Sequence, residues 1–128
     1  MRLLLDTHTL LWWFTDDKRL SLRARTAVAD DVNEVFVSAA SAWEISTKHR
    51  IGKLSGMADA IKRFGELVAA DGFQHLPITY LHSLRAGAYE VPHRDPFDRM
   101  LAAQSELEAL TLITRDPVFD TFGGRTLW

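Results

Sequence analysis

Apolar residues fall along this chain in short runs, separated by longer stretches with helical spacing. Leu3-Leu4-Leu5 reads as the centre of a buried strand over residues 2–6 that ends at Asp6, with residues 7–14 as a short helix behind it. Residues 21–30 predict a second helix with Ser21 as its N-cap. Val35-Phe36-Val37 is a short strand. Ser38 then caps a helix of about a dozen residues that carries Trp43, Glu44 and Lys48 and stops near Gly52. Residues 57–71 predict one further helix closed by Gly72, Phe73 to Ile78 an extended piece, and residues 79–88 another helix. His93-Arg94-Asp95-Pro96 leads into a helix whose first turn suits Pro96 and which carries Phe97, Met100, Leu101, Gln104 and Leu107 at helical spacing. Leu110 to Ile113 is a buried strand that runs on to Asp116, and Arg125 to Trp128 a last short strand after Gly123-Gly124. Short apolar strands alternating with helices predict an α/β fold with a mostly parallel sheet. Such sheets place their sites beyond the carboxyl ends of the strands. Asp6 and Asp116 both follow a strand, the first hint of where a site would lie.

A chain of 128 residues suits a single domain spanning residues 1–128, and 47% apolar with 25% charged residues is ordinary for a globular protein. The absence of cysteine excludes disulfides, zinc–thiolate centres and thiol nucleophiles. The apolar run after Arg2 is too short for a secretion signal, and no stretch approaches the roughly 18–20 apolar residues of a membrane span. The expectation is a soluble, cytoplasmic protein without a membrane partner. A net charge of −2 weighs against a nucleic-acid partner only until the acids are assigned. Two bound dications would carry it to about +2.

Four acids stand in unusual contexts. Asp6 and Asp116 follow strands, Glu44 lies on a helix of mostly small and apolar residues, and Asp98 sits beside the apolar stripe of its helix. If they converge, each pair about 5 Å apart repels by roughly 3 kcal/mol at an effective dielectric of ~20. Protonation, pairing with Lys or Arg, or a metal ion would relieve that repulsion. Ligands that are all oxygen favour Mg2+ or Mn2+ over zinc. A dication held by carboxylates suits phosphodiester hydrolysis that leaves 5′-phosphate and 3′-hydroxyl ends. Each acid also has a plainer role open to it: Asp6 as a helix N-cap, Glu44 as an i,i+4 partner of Lys48, Asp98 as a first-turn acid, Asp116 as a turn residue before Pro117. For Asp95, before Pro96, capping is preferred to metal binding.

The segments Leu4-Leu5-Asp6-Thr7-His8, Ser38-Ala39-Ala40-Ser41-Ala42-Trp43-Glu44-Ile45, His93-Arg94-Asp95-Pro96-Phe97-Asp98-Arg99-Met100-Leu101-Ala102-Ala103-Gln104 and Leu112-Ile113-Thr114-Arg115-Asp116 together resemble the ordered motifs of PIN-domain ribonucleases, most closely the VapC toxins of VapBC toxin–antitoxin pairs. The resemblance spans residues 3–119. It implies a three-layer α/β/α fold with a central sheet of about five strands, dependence on Mg2+ or Mn2+, and endonuclease action on RNA, structured RNA such as tRNA included. It also implies a small VapB-like antitoxin and a homodimer. Under it Asp6 and Asp98 resemble the principal metal ligands, Glu44 and Asp116 the remaining acids, and Thr7 and Thr114 the hydroxyl residues beside them. The neighbouring functional readings are a PIN nuclease for RNA processing or DNA with no toxin role, and a non-catalytic interaction protein on the same scaffold.

Arg99 and Arg115, each adjacent to an acid, are the better candidates for phosphate contacts, with Lys48 and His93 beside them. The five histidines show no spacing that supports a two-histidine mechanism. Leu10-Leu11-Trp12-Trp13-Phe14 is apolar on every side of its helix, so it must be covered all round. The expectation is that part of it meets another chain.

Overall fold

A computed structural model describes all of residues 1–128. Five strands, β1 (Arg2–Leu5), β2 (Glu34–Ser38), β3 (Gln74–Leu76), β4 (Thr111–Ile113) and β5 (Thr126–Leu127), form one sheet in the order β3-β2-β1-β4-β5, with every neighbouring pair parallel. Helices α1 (Thr7–Phe14), α2 (Leu22–Ala29), α3 (Ala39–Arg50), α4 (Ala58–Lys62), α5 (Phe64–Ala70), α6 (Tyr80–Ala88) and α7 (Pro96–Leu107) connect them, with a 3-10 turn over Pro117–Phe122. No helix is long and apolar enough to cross a membrane.

Because strand side chains alternate between faces, the central strands feed two separate cores. Leu3, Leu5, Val35, Val37 and Ile113 join residues of α1, α2 and α5 on one side, while Leu4, Phe36 and Leu112 join Ala86 and Leu101 to Ala103 on the other. A sheet buried on both faces needs continuous apolar strands, which is why Leu3-Leu4-Leu5 does not alternate with polar residues. The strand order reverses beside β1. The chain first builds outward through β2 and β3, then returns to the opposite side of β1 with β4. Ligands of open α/β sheets bind at such a switch point, beyond the strand ends. Asp6 and Thr114 are the residues immediately after β1 and β4.

Local signals set the helix starts. Ser21, Ser38, Asp6, Asp95 and Asp116 each accept a hydrogen bond from the backbone N–H of the turn they begin. Two sequence-based expectations change. The helix expected over residues 57–71 is broken at Arg63 into α4 and α5. Phe64, at the start of α5, packs edge-on against Phe14 with ring centroids 6.3 Å apart, and Arg63 pairs with Asp59 and Glu66 on either side of the break.

The apolar helix α1 is largely covered within its own chain, with Trp13 and Phe14 left partly exposed. Leu10, Leu11 and Trp12 are buried in the first core, and Trp13 and Phe14 pack against it. Trp12 meets Trp128, Trp13 meets Phe73, and the Trp13 indole N–H donates to Asp71 at 3.0 Å. The carboxyl-terminal end of the chain thus supplies the cover that the local pattern could not reveal. Trp13→Ala is expected to cost about 2–3 kcal/mol, below the value for a fully enclosed aromatic. Urea denaturation at several protein concentrations checks this, and a loss that depends on concentration would instead restore a role for a second chain.

Candidate active site

All four acids of the sequence argument border one cavity of about 210 Å³ at the switch point. Asp6, Glu44, Asp98 and Asp116 line it together with Asp95, Thr7, His8 and Lys48. They arrive from four separate segments: the end of β1, the buried face of α3, the first turn of α7 and the residues after β4.

Asp6 is pinned most firmly. Its backbone N–H donates to Ile113 O at 3.1 Å, which ties β1 to β4 beyond the last paired residues. Its Oδ1 accepts from Thr9 N at 2.8 Å as the cap of α1, and its Oδ2 accepts from the Thr114 hydroxyl. The cap and the site use the same residue. Burial pushes the Asp6 carboxyl above the usual carboxylate range, and the bonds from Thr114 and Thr9 oppose that rise. Thr7, the next residue, donates to Ser41 Oγ at 3.1 Å and so holds α1 to α3 at the cavity edge.

Glu44 is only 3% exposed, and Lys48 Nζ pairs with its Oε2. Lys48, expected among the phosphate contacts, therefore serves as the counter-ion of a buried acid, the plainer of the two readings of that i,i+4 spacing. Asp98 lies with His93 Nε2 2.7 Å from its Oδ2. Burial pushes its carboxyl up to about 6; the His93 contact pulls it down, while the charges of Asp95 and Glu44 push it further up. His93 thus orders the site through Asp98. Asp95 caps α7 through Phe97 N at 2.9 Å and Asp98 N at 3.1 Å, as expected, and also borders the cavity. Asp116 is exposed and caps the 3-10 turn through Val118 N at 2.9 Å, while its own N–H donates to Thr114 Oγ1 at 3.0 Å. Thr114 therefore links two of the acids.

Arg99 departs furthest from expectation. Instead of facing a phosphate, its guanidinium donates to five backbone carbonyls: Ala86 and Gly87 of α6 at 2.8 and 3.4 Å, Val91 and His93 at 2.9 Å each, and Tyr89. It organises the loop that delivers His93 to Asp98. Arg115 stays exposed beside the site, with its guanidinium 4.7 Å from the centre of the Trp12 ring.

Sequence reasoning missed Gln104 as a polar element of the site's foundation. It is fully buried on α7, accepts from the Ser38 hydroxyl at the end of β2, and donates to Pro77 O at 3.3 Å. Its helical spacing placed it on the buried stripe; only its amide, an expensive group to bury unpaired, could have marked it. His8 and Arg19, which border the site region, carried no local signal either.

The donor set itself suits a hard dication: carboxylate oxygens and a hydroxyl around one cavity, without sulfur. In this arrangement no three acidic or histidine side chains are gathered to hold an ion. Lys48, His93 and Thr114 each engage one oxygen of Glu44, Asp98 and Asp6. Glu44 Oε1, Asp98 Oδ1 and Asp116 Oδ2 make no hydrogen bond, which leaves one carboxylate oxygen from each of three segments for an ion.

Residues 3–124 match the family model of the PIN domain. No curated protein matches the sequence. Among solved structures, the fold is similar to that of VapBC2 from Rickettsia felis bound to a DNA fragment from its promoter, with a TM-score of 0.71 at 12% identity over 99% of this chain and 98% of that one. VapBC-1 from nontypeable Haemophilus influenzae gives 0.69 at 14% identity, over 99% and 97% of the two chains. FitAcB from Neisseria gonorrhoeae gives 0.65 at 17% identity, over 98% and 96%.

Proposed function

The chain belongs to the PIN domain family, and from that premise we propose that it is a Mg2+- or Mn2+-dependent endoribonuclease, the toxin of a toxin–antitoxin pair. The observation that carries the reading is the convergence of Asp6, Glu44, Asp98 and Asp116, drawn from four segments, on one cavity beyond the ends of β1 and β4. Isolated acids serve as caps and surface charges. Four that share a partly buried cavity form a setting suited to a cation, and Asp98, pushed up by burial and by the charges of Asp95 and Glu44, shows the cost of crowding without one. Similarity to the toxin–antitoxin complexes supports the toxin role and a small antitoxin as partner.

In this reading Asp6, Glu44, Asp98 and Asp116 hold the ion, which would supply Lewis acidity toward the phosphate and lower the pKa of a water. The chain's own residues do the rest. Thr114 and Thr9 fix the rotamer of Asp6, and His93 fixes that of Asp98. Lys48 holds the Glu44 carboxylate in place through its ion pair. Side chains held in place by such contacts lose little freedom when the reactive geometry forms.

Purified protein given tRNA and single-stranded RNA with Mn2+ is expected to cut them and to leave 5′-phosphate and 3′-hydroxyl ends, with DNA of the same sequence as the comparison. A chelator should abolish cleavage and readdition of the ion restore it. Cleavage that persists in chelator would overturn the metal assignment, and an intact RNA pool in every condition would overturn the nuclease reading.

A further inference from the structure

Next to the acidic cavity lies a wider groove of about 400 Å³, bordered by Asp6, His8, Trp12, Arg19, Arg115 and Asp116. Asp6, His8 and Asp116 border both hollows, so the two share a rim. We propose that this groove is a phosphate subsite for the RNA strand, with Arg115 as its main ligand and Arg19 as its second, holding the backbone phosphate that neighbours the one over the acids. The inference rests on the nuclease reading and adds to it the path of the strand.

Trp12 is the fixed element of the groove. The ring is only 8% exposed and is locked by the core, edge-on to Trp128 at 5.8 Å. Two guanidiniums stand over this fixed plane, Arg115 at 4.7 Å and Arg19 at 5.1 Å from its centroid. An arginine resting on an aromatic face keeps its charge and its N–H fork while losing rotamer freedom in advance. Binding an anion then costs less ordering.

The two arginines are not equivalent. Arg19 spends Nε and Nη2 on Asp17, at 3.0 and 2.8 Å, and keeps Nη1 without a partner. Arg115 forms no ion pair and donates no side-chain hydrogen bond, so its whole fork is available. Asp17 offsets Arg19, and Asp6 and Asp116 on the shared rim are among the acids that would hold the ion, so Arg115 is the cation left to meet a phosphodiester. Lys48 is engaged by Glu44 and Arg99 by carbonyls, and Arg94, though exposed, borders neither hollow. A strand that sets one phosphate over the acids must lay its next phosphate on a flanking surface. The Trp12 groove is the flank with an unspent guanidinium at the shared rim. His8, exposed in the first turn of α1 with its ring 5.8 Å from that of Trp12, lies between the two hollows.

The test compares Arg115→Ala, Arg19→Ala and Arg23→Ala, the last removing the same charge from an exposed site on α2 outside the groove. With Mn2+ and short single-stranded RNA, Arg115→Ala should raise KM about tenfold with kcat within about twofold of the parent. Arg19→Ala should show a smaller rise and Arg23→Ala none. The salt dependence of RNA binding should fall by about 0.7 in slope for Arg115→Ala, the signature of one lost phosphate contact on a single strand. On substrates trimmed one nucleotide at a time from each end, the Arg115→Ala penalty should vanish once the neighbouring phosphate is gone. An Arg115→Ala protein that behaves like Arg23→Ala, or a penalty that ignores substrate length, overturns the subsite while the nuclease reading stands. If the parent leaves RNA uncut, that reading falls by itself. The groove is then judged by binding of a labelled RNA, where equal affinities for the Arg115→Ala and Arg23→Ala proteins overturn it.

Discussion

Replacing Asp98 with asparagine is expected to lower RNA cleavage at least about a thousandfold, and Asp6→Asn should do the same, because each removes several kcal/mol of charge stabilisation from the transition state. Neither change should unfold the protein. At Asp6 the amide keeps an acceptor oxygen for Thr9 N, and the Thr114 hydroxyl can turn to accept from the new NH2. At Asp98 the ionised carboxyl is disfavoured by burial and by its acidic neighbours, with a proton affinity raised to about 6. A neutral side chain of the same shape relieves that cost at pH 7, so the melting temperature of the metal-free variant should equal or exceed the parent's. Such gains are common where a site is held against its own stability. Cleavage assays and thermal melts on the same preparations check both halves. Parental rates in either variant would remove that acid from the site, and a folded variant with no activity would support its assignment.

Arg99→Met is the substitution expected to cost most in stability, about 3–4 kcal/mol. It deprives five carbonyls between Ala86 and His93 of a charged donor, at the last turn of α6 and in the loop after it, where no sheet or helix hydrogen bond continues. For a domain of this size that corresponds to a fall of roughly 10 °C in melting temperature. Arg99→Lys should recover only a minor part, since an ammonium offers three donors and no planar fork. Urea denaturation and thermal melts measure the loss directly. The loop that Arg99 holds also carries His93 to Asp98, so Mn2+ affinity should fall together with stability. A variant within about 1 kcal/mol of the parent that shows only a raised KM would mean that Arg99 touches substrate instead.

The acidic cavity shows how a cluster of like charges is tolerated before any ion arrives. Of the three ways to relieve carboxylates that border one cavity, the fold uses two. Lys48 pairs with Glu44, and protonation becomes easier at Asp6 and Asp98, whose proton affinities are raised. The third, a dication, would favour the ionised forms of Asp6 and Asp98. The same reasoning explains the order of the neighbouring elements. Thr114 and His93 hold single oxygens by hydrogen bonds that an incoming ion need not break, because each carboxylate has a second lone-pair set.

Much of this protein was legible along the chain. Leu3-Leu4-Leu5 announced a strand buried on both faces, and the sheet confirms it with Leu4 facing one core and Leu3 and Leu5 the other. Ser21, Ser38 and Asp95 marked helix starts, and each accepts the expected backbone N–H. These features depend on a few neighbouring residues: periodicity follows from backbone geometry, and a cap reaches no further than the turn it begins. What only the tertiary structure decided involves partners far apart in sequence. It covered α1 with Phe73 and Trp128, buried Gln104 against Ser38, and drew Arg99 back onto the loop before it. It set Arg115 over Trp12 and gathered the acids around one cavity. A side chain's type and spacing tell which face of an element it occupies. Where its polar atoms end up depends on which unpaired groups packing brings within hydrogen-bond reach, and buried polar groups take the partners that leave none unsatisfied.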